Sequence, residues 1–387
     1  MAIIKWSSTD ADESFAEESE VVANLSDDVL GEIIRRLPVK SVARSKCVSK
    51  NWCATISDGY LRRRLPLHLS VVYYPDGGSG GPRFACASGG ERWLEDCDLT
   101  FFPLMEGAVV CDACNGLLLL CRSSAGAPRR SFYVVDPVAR RWAALPAPAR
   151  DARLSVLAFD PRSSPHYHVV NFTGWRDRGA AVEVFSSEAW AWAARDVDFG
   201  VPADSLSAAS LHSHGGAVYI LASDDADRAV VRMDVAAAFA PGADPACTAI
   251  ELPEQDDGGD GRVAHSGGRL HYVGSDRELL KVWVLDDDDS SSSRQWRLKH
   301  AVKVDDVVEG GCRGREVRFL ALHPEKDAVY LWMPWKLVEF DLAKKAITGA
   351  WEFGGKDQNG AKNRIVKTWL VPSSWYLSDC LANGHVQ

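Results

Sequence analysis

Apolar positions along the 387-residue chain follow two different periods. Near the N-terminus, Val29, Ile33 and Leu37 recur every four residues with Leu30 and Ile34 beside them, the stripe of an amphipathic helix. Ser26 suits the N-cap, and Asp27 and Asp28 place carboxylates in the first turn, where the helix dipole favours them. Arg35 and Arg36 fall in the last turn and Pro38 stops the helix. A short second helix is expected over Ser41 to Cys47, and a third from about Ser49 with Val48, Trp52 and Ile56 on one face. Three short helices enclose a small core near the lower size limit for independent stability, so this unit is expected to need a partner or a neighbouring domain.

From residue 67 onward the apolar runs are short, rich in Val, Leu, Tyr and Trp, and broken by Gly, Pro, Asp and Ser, which predicts strands. One strand type ends repeatedly in Asp: Tyr133 to Asp136, Val230 to Asp234, Val282 to Asp286 and Leu337 to Asp341. The gap from 136 to 234 is nearly double the next two, so a further unit is expected near 186, where Val182 to Phe185 runs into Ser186. Trp142, Trp192, Trp296 and Trp351 follow these strands, and a second strand precedes each. The period is about 50 residues with four strands per unit, the size of a kelch-type β-propeller blade. Units are drawn at 107–148, 153–198, 207–253, 262–304 and 316–355. A sixth is expected to join 67–105 to strands near 365–380, closing the ring and removing its exposed edges. The arithmetic favours six blades over five or seven. The fold class expected is therefore α+β multidomain, a small three-helix module followed by an all-β propeller, with the Trp residues packed between blades.

Charge sharpens the division. The chain carries 44 Lys and Arg against 53 Asp and Glu, a net charge of −9, which argues against a nucleic-acid binder. By segment, residues 1–20 hold one Lys against six carboxylates, whereas 24–66 hold nine basic residues against four acidic ones. The domains expected are an acidic, disordered leader over 1–22, a basic helical module over 23–66 and the propeller over 67–387. No apolar run approaches the roughly 18 residues of a membrane span, and the N-terminus resembles neither a signal nor a transit peptide. A cytoplasmic or nuclear protein is expected, with no membrane partner and with its ten Cys as free thiols.

Few residues suggest other chemistry. Cys111-x-x-Cys114 with Cys121 lacks the second ligand pair of a structural zinc site and reads as buried strand thiols. His166-x-His168 and His212-x-His214 each put two imidazoles on one face of a strand, but at different strand positions in neighbouring blades, and read as ordinary histidines. The acidic runs 256–261 and 286–293 read as solvated loops. Trp175, Arg176, Trp332 and Trp335 could line a binding face but suit packing between blades better. Neither a nucleophile elbow nor a phosphate loop nor a His-Glu-x-x-His helix is present. No metal, cofactor or catalytic residue is expected.

The helical stretch from Leu25 through Leu37-Pro38, Lys40-Ser41-Val42, Arg44 and Val48-Ser49-Lys50-Asn51-Trp52 resembles an F-box, in register to Ile56. Ser26 departs from the Pro usual in that family, and it can cap the same helix start. With the propeller, the layout resembles a plant-type F-box protein with a kelch-like or F-box-associated domain. The resemblance implies that the helical module docks on the Skp-family adaptor of a cullin–RING ubiquitin ligase while the propeller captures a protein target. It implies apolar core and interface roles for Leu25, Val29, Ile33, Leu37, Pro38, Val42, Val48 and Trp52, and charged contacts from Arg44 and Lys50. For any one apolar residue, core and interface stand open. The substrate-binding residues stay unassigned. Two other readings are an enzymatic or glycan-binding propeller with a helical appendage, and an F-box scaffold acting outside a ligase.

Overall fold

The structure is a computed structural model that describes residues 26–37, 45, 47–57, 67–74, 81–87, 93–97, 99–123, 129–137, 139–161, 164–224, 227–239, 247–253, 260–275, 278–286, 295–304, 317–333, 336–353, 364–372 and 381. The expected leader, nearly all of the expected second helix, Trp335, most of the two acidic runs and Leu25, Pro38, Val42 and Arg44 lie outside them. Contacts divide the chain into two compact units, an N-terminal helical one and an all-β one.

In the helical unit, α1 (Asp27–Arg35) and α2 (Lys50–Ser57) pack together. Ser26 caps α1 as its pattern predicts, its hydroxyl accepting from the Val29 backbone N–H at 3.4 Å. Ser49 does the same for α2, accepting from the Trp52 N–H at 3.2 Å. Leu30, Ile34 and Ile56 form the interior, with Leu37 and Trp52 against them.

Among the described residues the β unit contains 24 strands in five sheets. Four have four strands each: β4–β7 (Ala108–Cys114, Leu117–Arg122, Ser131–Asp136, Arg141–Ala144), β8–β11 (Leu154–Phe159, Tyr167–Arg176, Gly179–Ser186, Ala191–Asp198), β12–β15 (Leu206–His214, Ala217–Asp224, Asp227–Asp234, Cys247–Glu251) and β16–β19 (Asp260–Ser266, Arg269–Ser275, Leu279–Asp286, Gln295–Lys303). These match the first four drawn units to within two residues at their starts and four at their ends, including the hidden one whose third strand ends at Ser186. The fifth sheet has eight strands. It combines β20–β23 (Arg318–Leu322, Ala328–Met333, Lys336–Asp341, Ala346–Phe353) with β3 (Trp93–Cys97), β2 (Arg83–Ala87), β1 (Leu67–Tyr74) and β24 (Arg364–Pro372), in that order.

The propeller thus has five blades, and the expected count of six is corrected. The N-terminal strands do lie beside a C-terminal one, β1 next to β24. They do not make a separate blade, because β3 hydrogen-bonds in parallel to β23 through Glu352–Trp93 and Phe353–Leu94. A residue count along the chain cannot register such a lateral pairing.

First strands of successive blades neighbour one another, β4 with β8, β8 with β12, β12 with β16 and β16 with β20, so they stand around the propeller axis. Side chains of facing sheets fill the spaces between, giving separate apolar clusters at successive junctions. Inner strands are covered on both faces, which explains why β5 and β21 read as unbroken apolar runs rather than alternations. Fourth strands carry the repeated Trp residues, each opposite the third strand: Trp142 by Val135, Trp192 by Phe185, Trp296 by Leu285 and Trp351 by Leu337. Two of them tie blade to blade, Trp192 Nε1 donating to the Pro146 carbonyl at 2.8 Å and Trp296 Nε1 to that of Glu251 at 2.6 Å. At the seam, the Val110 N–H donates to the Tyr74 hydroxyl at 3.2 Å, linking β4 to β1. Leu381 is buried in the cluster shared by the first two blades.

Candidate functional site

The helical unit sorts its apolar residues into two rows. Leu30 and Ile34 are 2% and 0% exposed and face Ile56, itself 0% exposed. Val29 and Ile33, one position earlier in each turn, are 46% and 40% exposed. The apolar stripe of α1 is therefore wider than the two-helix interior among the described residues requires, and its outer row faces away from that interior. Val48 adds to the exposed set at 62%. It was expected to share a face with Trp52 and Ile56, but it sits in the turn closed by its own N–H to the Ser45 carbonyl, before α2 begins. Trp52 and Leu37 are half-buried against the interior, and Lys50 is exposed at the start of α2.

In the propeller, a cleft of about 840 Å³ opens between the second and third blades. Trp175, Arg176 and Arg178 line it from the end of β9 and the following turn, with Arg153 and Leu154 at the start of β8 and Leu206 at the start of β12. The Trp175 ring stacks on Phe172 at 5.5 Å with an interplanar angle of 3°, which fixes its orientation. Arg176 pairs with Asp196 at 2.7 Å, and Arg178 donates to the Gly200 carbonyl. The cleft thus has a rigid aromatic wall and a guanidinium-rich rim. Of the other aromatic candidates, Trp332 is buried in packing between β1–β2 and β21–β22.

Cys111, Cys114 and Cys121 pack as strand thiols. Cys114 donates to the Phe159 carbonyl at 3.3 Å across the first blade junction. Cys111 and Cys121 share a hydrogen bond that, helped by the Arg130 charge and opposed by burial, lowers the Cys121 pKa to about 7, and that together with burial raises the pKa of Cys111. His168 lies with its ring toward Phe239 at 6.3 Å, and burial lowers its pKa.

A small capped helical pair with an exposed apolar row is thus joined in one chain to a five-bladed all-β ring. The F-box domain family matches residues 22–64, and the family described as F-box protein At3g26010-like, beta-propeller, matches residues 100–368. The chain belongs to the latter family, whose match spans more than half of it. Relatives in Arabidopsis thaliana include F-box protein At3g26010, 23% identical with 80% of this chain and 74% of the relative covered. An F-box/kelch-repeat protein, At1g15680, is 27% identical with 84% and 83% covered. F-box protein At5g07610 is 28% identical over 46% of this chain, and the match spans 47% of that relative. Among solved structures, a puromycin-hydrolyzing peptidase of Mycobacterium tuberculosis overlaps 74% of this chain and 46% of its own at 15% identity and a TM-score of 0.38. Hsv2 of Kluyvelomyces marxianus overlaps 60% and 72% at 10% identity and a TM-score of 0.34.

Proposed function

We propose that this chain is the target-recognition subunit of a Skp–cullin–F-box ubiquitin ligase, non-enzymatic itself. The observation that carries the reading is that Val29 and Ile33 on α1, and Val48 in the turn before α2, are left exposed by the small helical interior within a segment matching the F-box family. Water-exposed Val and Ile on a capped helix gain by being covered, and the basic surplus of 24–66 suits an acidic adaptor. Lys50, exposed two residues after Val48, adds a charged contact, and Leu37 and Trp52 pack on the interior of Leu30, Ile34 and Ile56. The propeller captures the target, with the cleft at Trp175, Arg153 and Arg178 as its docking point, and the ligase gains rate by raising the target's effective concentration near the ubiquitin carrier.

The test is a binding titration of the full chain with a purified Skp-family adaptor. Changing Val29, Ile33 and Val48 together to Ser removes about 1 kcal/mol of covered apolar surface at each, so binding is expected to weaken on the order of a hundred-fold. The circular dichroism of the chain should not change, because none of the three is buried. Unchanged affinity in the folded triple variant would overturn the interface assignment, and no binding by the wild type would overturn the function.

A further inference from the structure

Three histidines of the third and fourth blades converge on one point. His212 and His214 are on β12 and His265 is on β16, and one ring nitrogen from each lies within 4.8 Å of the other two. The rings of His214 and His265 are 3.9 Å apart, those of His212 and His265 5.0 Å. All three side chains are half-buried.

The strand registers explain the convergence. Residues 212 and 214 are two apart and so share one face of β12. The turns that follow, Gly215-Gly216 and Gly267-Gly268, both have positive φ at each residue, the tight hairpin geometry glycine permits, and they align the two blades. In that alignment His265 occupies the position of Ser213, hence the opposite face of its sheet. Facing sheets of a propeller present opposite faces to each other, which sets His265 against the other two.

Equivalent positions elsewhere in the ring do a different job. Before the corresponding turn of the first blade, Cys114 donates to the Phe159 carbonyl at 3.3 Å and Asp112 accepts from the Leu157 N–H at 2.9 Å. In the fourth blade, Ser266 donates to the His323 carbonyl at 2.7 Å. Small polar side chains there bond backbone in, or just beyond, the next first strand. Only at the junction of the third and fourth blades, among these three, are the positions filled by imidazoles that meet a third imidazole from across the gap.

We propose that His212, His214 and His265 form a binding site for a zinc-class divalent transition ion that clamps the third blade to the fourth. An ion at the centre of this nitrogen triangle is at most about 2.8 Å from each donor, so closing to the usual 2.0–2.1 Å needs ring shifts of roughly 0.7 Å. Three neutral imidazoles suit zinc and its neighbours rather than calcium or magnesium, and half-burial leaves a fourth position for water. The site lies at the far end of β12 from Leu206 and the cleft; because β12 bulges between Ser207 and Leu211, its partner strand covers that stretch from Ala222 to Ala217, five residues or about 17 Å.

The full-length protein, reduced and stripped with chelator, is titrated with Zn2+ and separately with Co2+. One ion per chain is expected, with a rise in the unfolding temperature. X-ray absorption of the wild-type zinc form should show imidazole nitrogen at about 2.0–2.1 Å and no sulfur near 2.3 Å. His265→Ala and the pair His212→Ala, His214→Ala should each weaken binding by more than the roughly 10–100-fold that loss of an outer-shell partner costs. Sulfur ligation, unaltered affinity in folded variants, or no retained ion in the wild type would overturn the proposal. The absorption spectrum needs no variant, so it decides the matter even where a substitution impairs folding.

Discussion

His323, just beyond β20, is buried, and its Nδ1 accepts from the backbone N–H groups of Glu325 and Lys326 at 3.0 and 3.1 Å. Only a neutral ring can accept in this way. Burial first, and then the Lys326 charge, lower its pKa from 6.5 to about 4, with Glu339 opposing. The unfolded chain, with an ordinary imidazole, therefore binds more protons than the folded one between about pH 6.5 and 4. Stability from this residue is complete above pH 6.5 and is lost as the pH falls toward 4. Burial lowers His168 and His271 in the same sense. Urea unfolding of His323→Asn, which keeps an acceptor but cannot titrate, should show a shallower loss of stability than wild type across that window; parallel curves would remove His323 as a cause. None of this was legible in the sequence, where a single histidine gives no hint of what its ring accepts. The same holds for His265: His212-x-His214 was visible as a pair, but its partner shows only when the Gly-Gly turns of the two blades are aligned.

Elements carry the repeat in a form that the sequence displayed without its reason. In three of the blades the Asp or Ser closing the third strand caps the turn into the fourth. Asp136 accepts from the Ala139 N–H at 2.9 Å, Asp341 from those of Ala343 and Lys344 at 3.0 and 2.8 Å, and Ser186 from that of Ala189 at 3.4 Å. Four residues after each capping position stands a non-glycine residue with positive φ: Arg140, Trp190 and Lys345. The turn is thus a fixed device in which a side-chain acceptor holds a left-handed residue that L-amino acids otherwise avoid. After Asp234 the same acceptor, bonded to Ala237 at 2.9 Å, starts the short helix α3 (Val235–Phe239) instead. Asp136→Ala is expected to lower stability by about 1–2 kcal/mol, since the residue is buried and its donor loses its partner. Asp136→Asn, which retains an acceptor, should recover most of that loss in the same thermal melts. The start of α1 was equally readable, because a cap and a stop signal are local; the division of its stripe between interior and surface was not, because that depends on where α2 lies.

For the whole molecule, unit boundaries were legible because every blade repeats the same local pattern, while the count was not, because it hangs on two parallel residue pairs between β23 and β3. The ring is held at its ends by distant parts of the chain. Leu381 fills the cluster of Leu117, Leu119, Tyr167 and Phe185 in the first two blades, and Leu381→Ala is expected to cost about 2–5 kcal/mol, read as a lower urea midpoint with an unaltered slope. The pairing of β24 with β1 has a further consequence, for the time course of synthesis. Tyr74 and Arg364, where those two strands end and begin, are separated by 290 residues of chain. At translation rates of about 5–20 residues per second, the edge of β1 waits on the order of 15–60 s on the ribosome before its partner strand exists. An open strand edge held that long invites pairing with other nascent chains, so this propeller should depend on chaperones during its synthesis more than its finished stability would suggest.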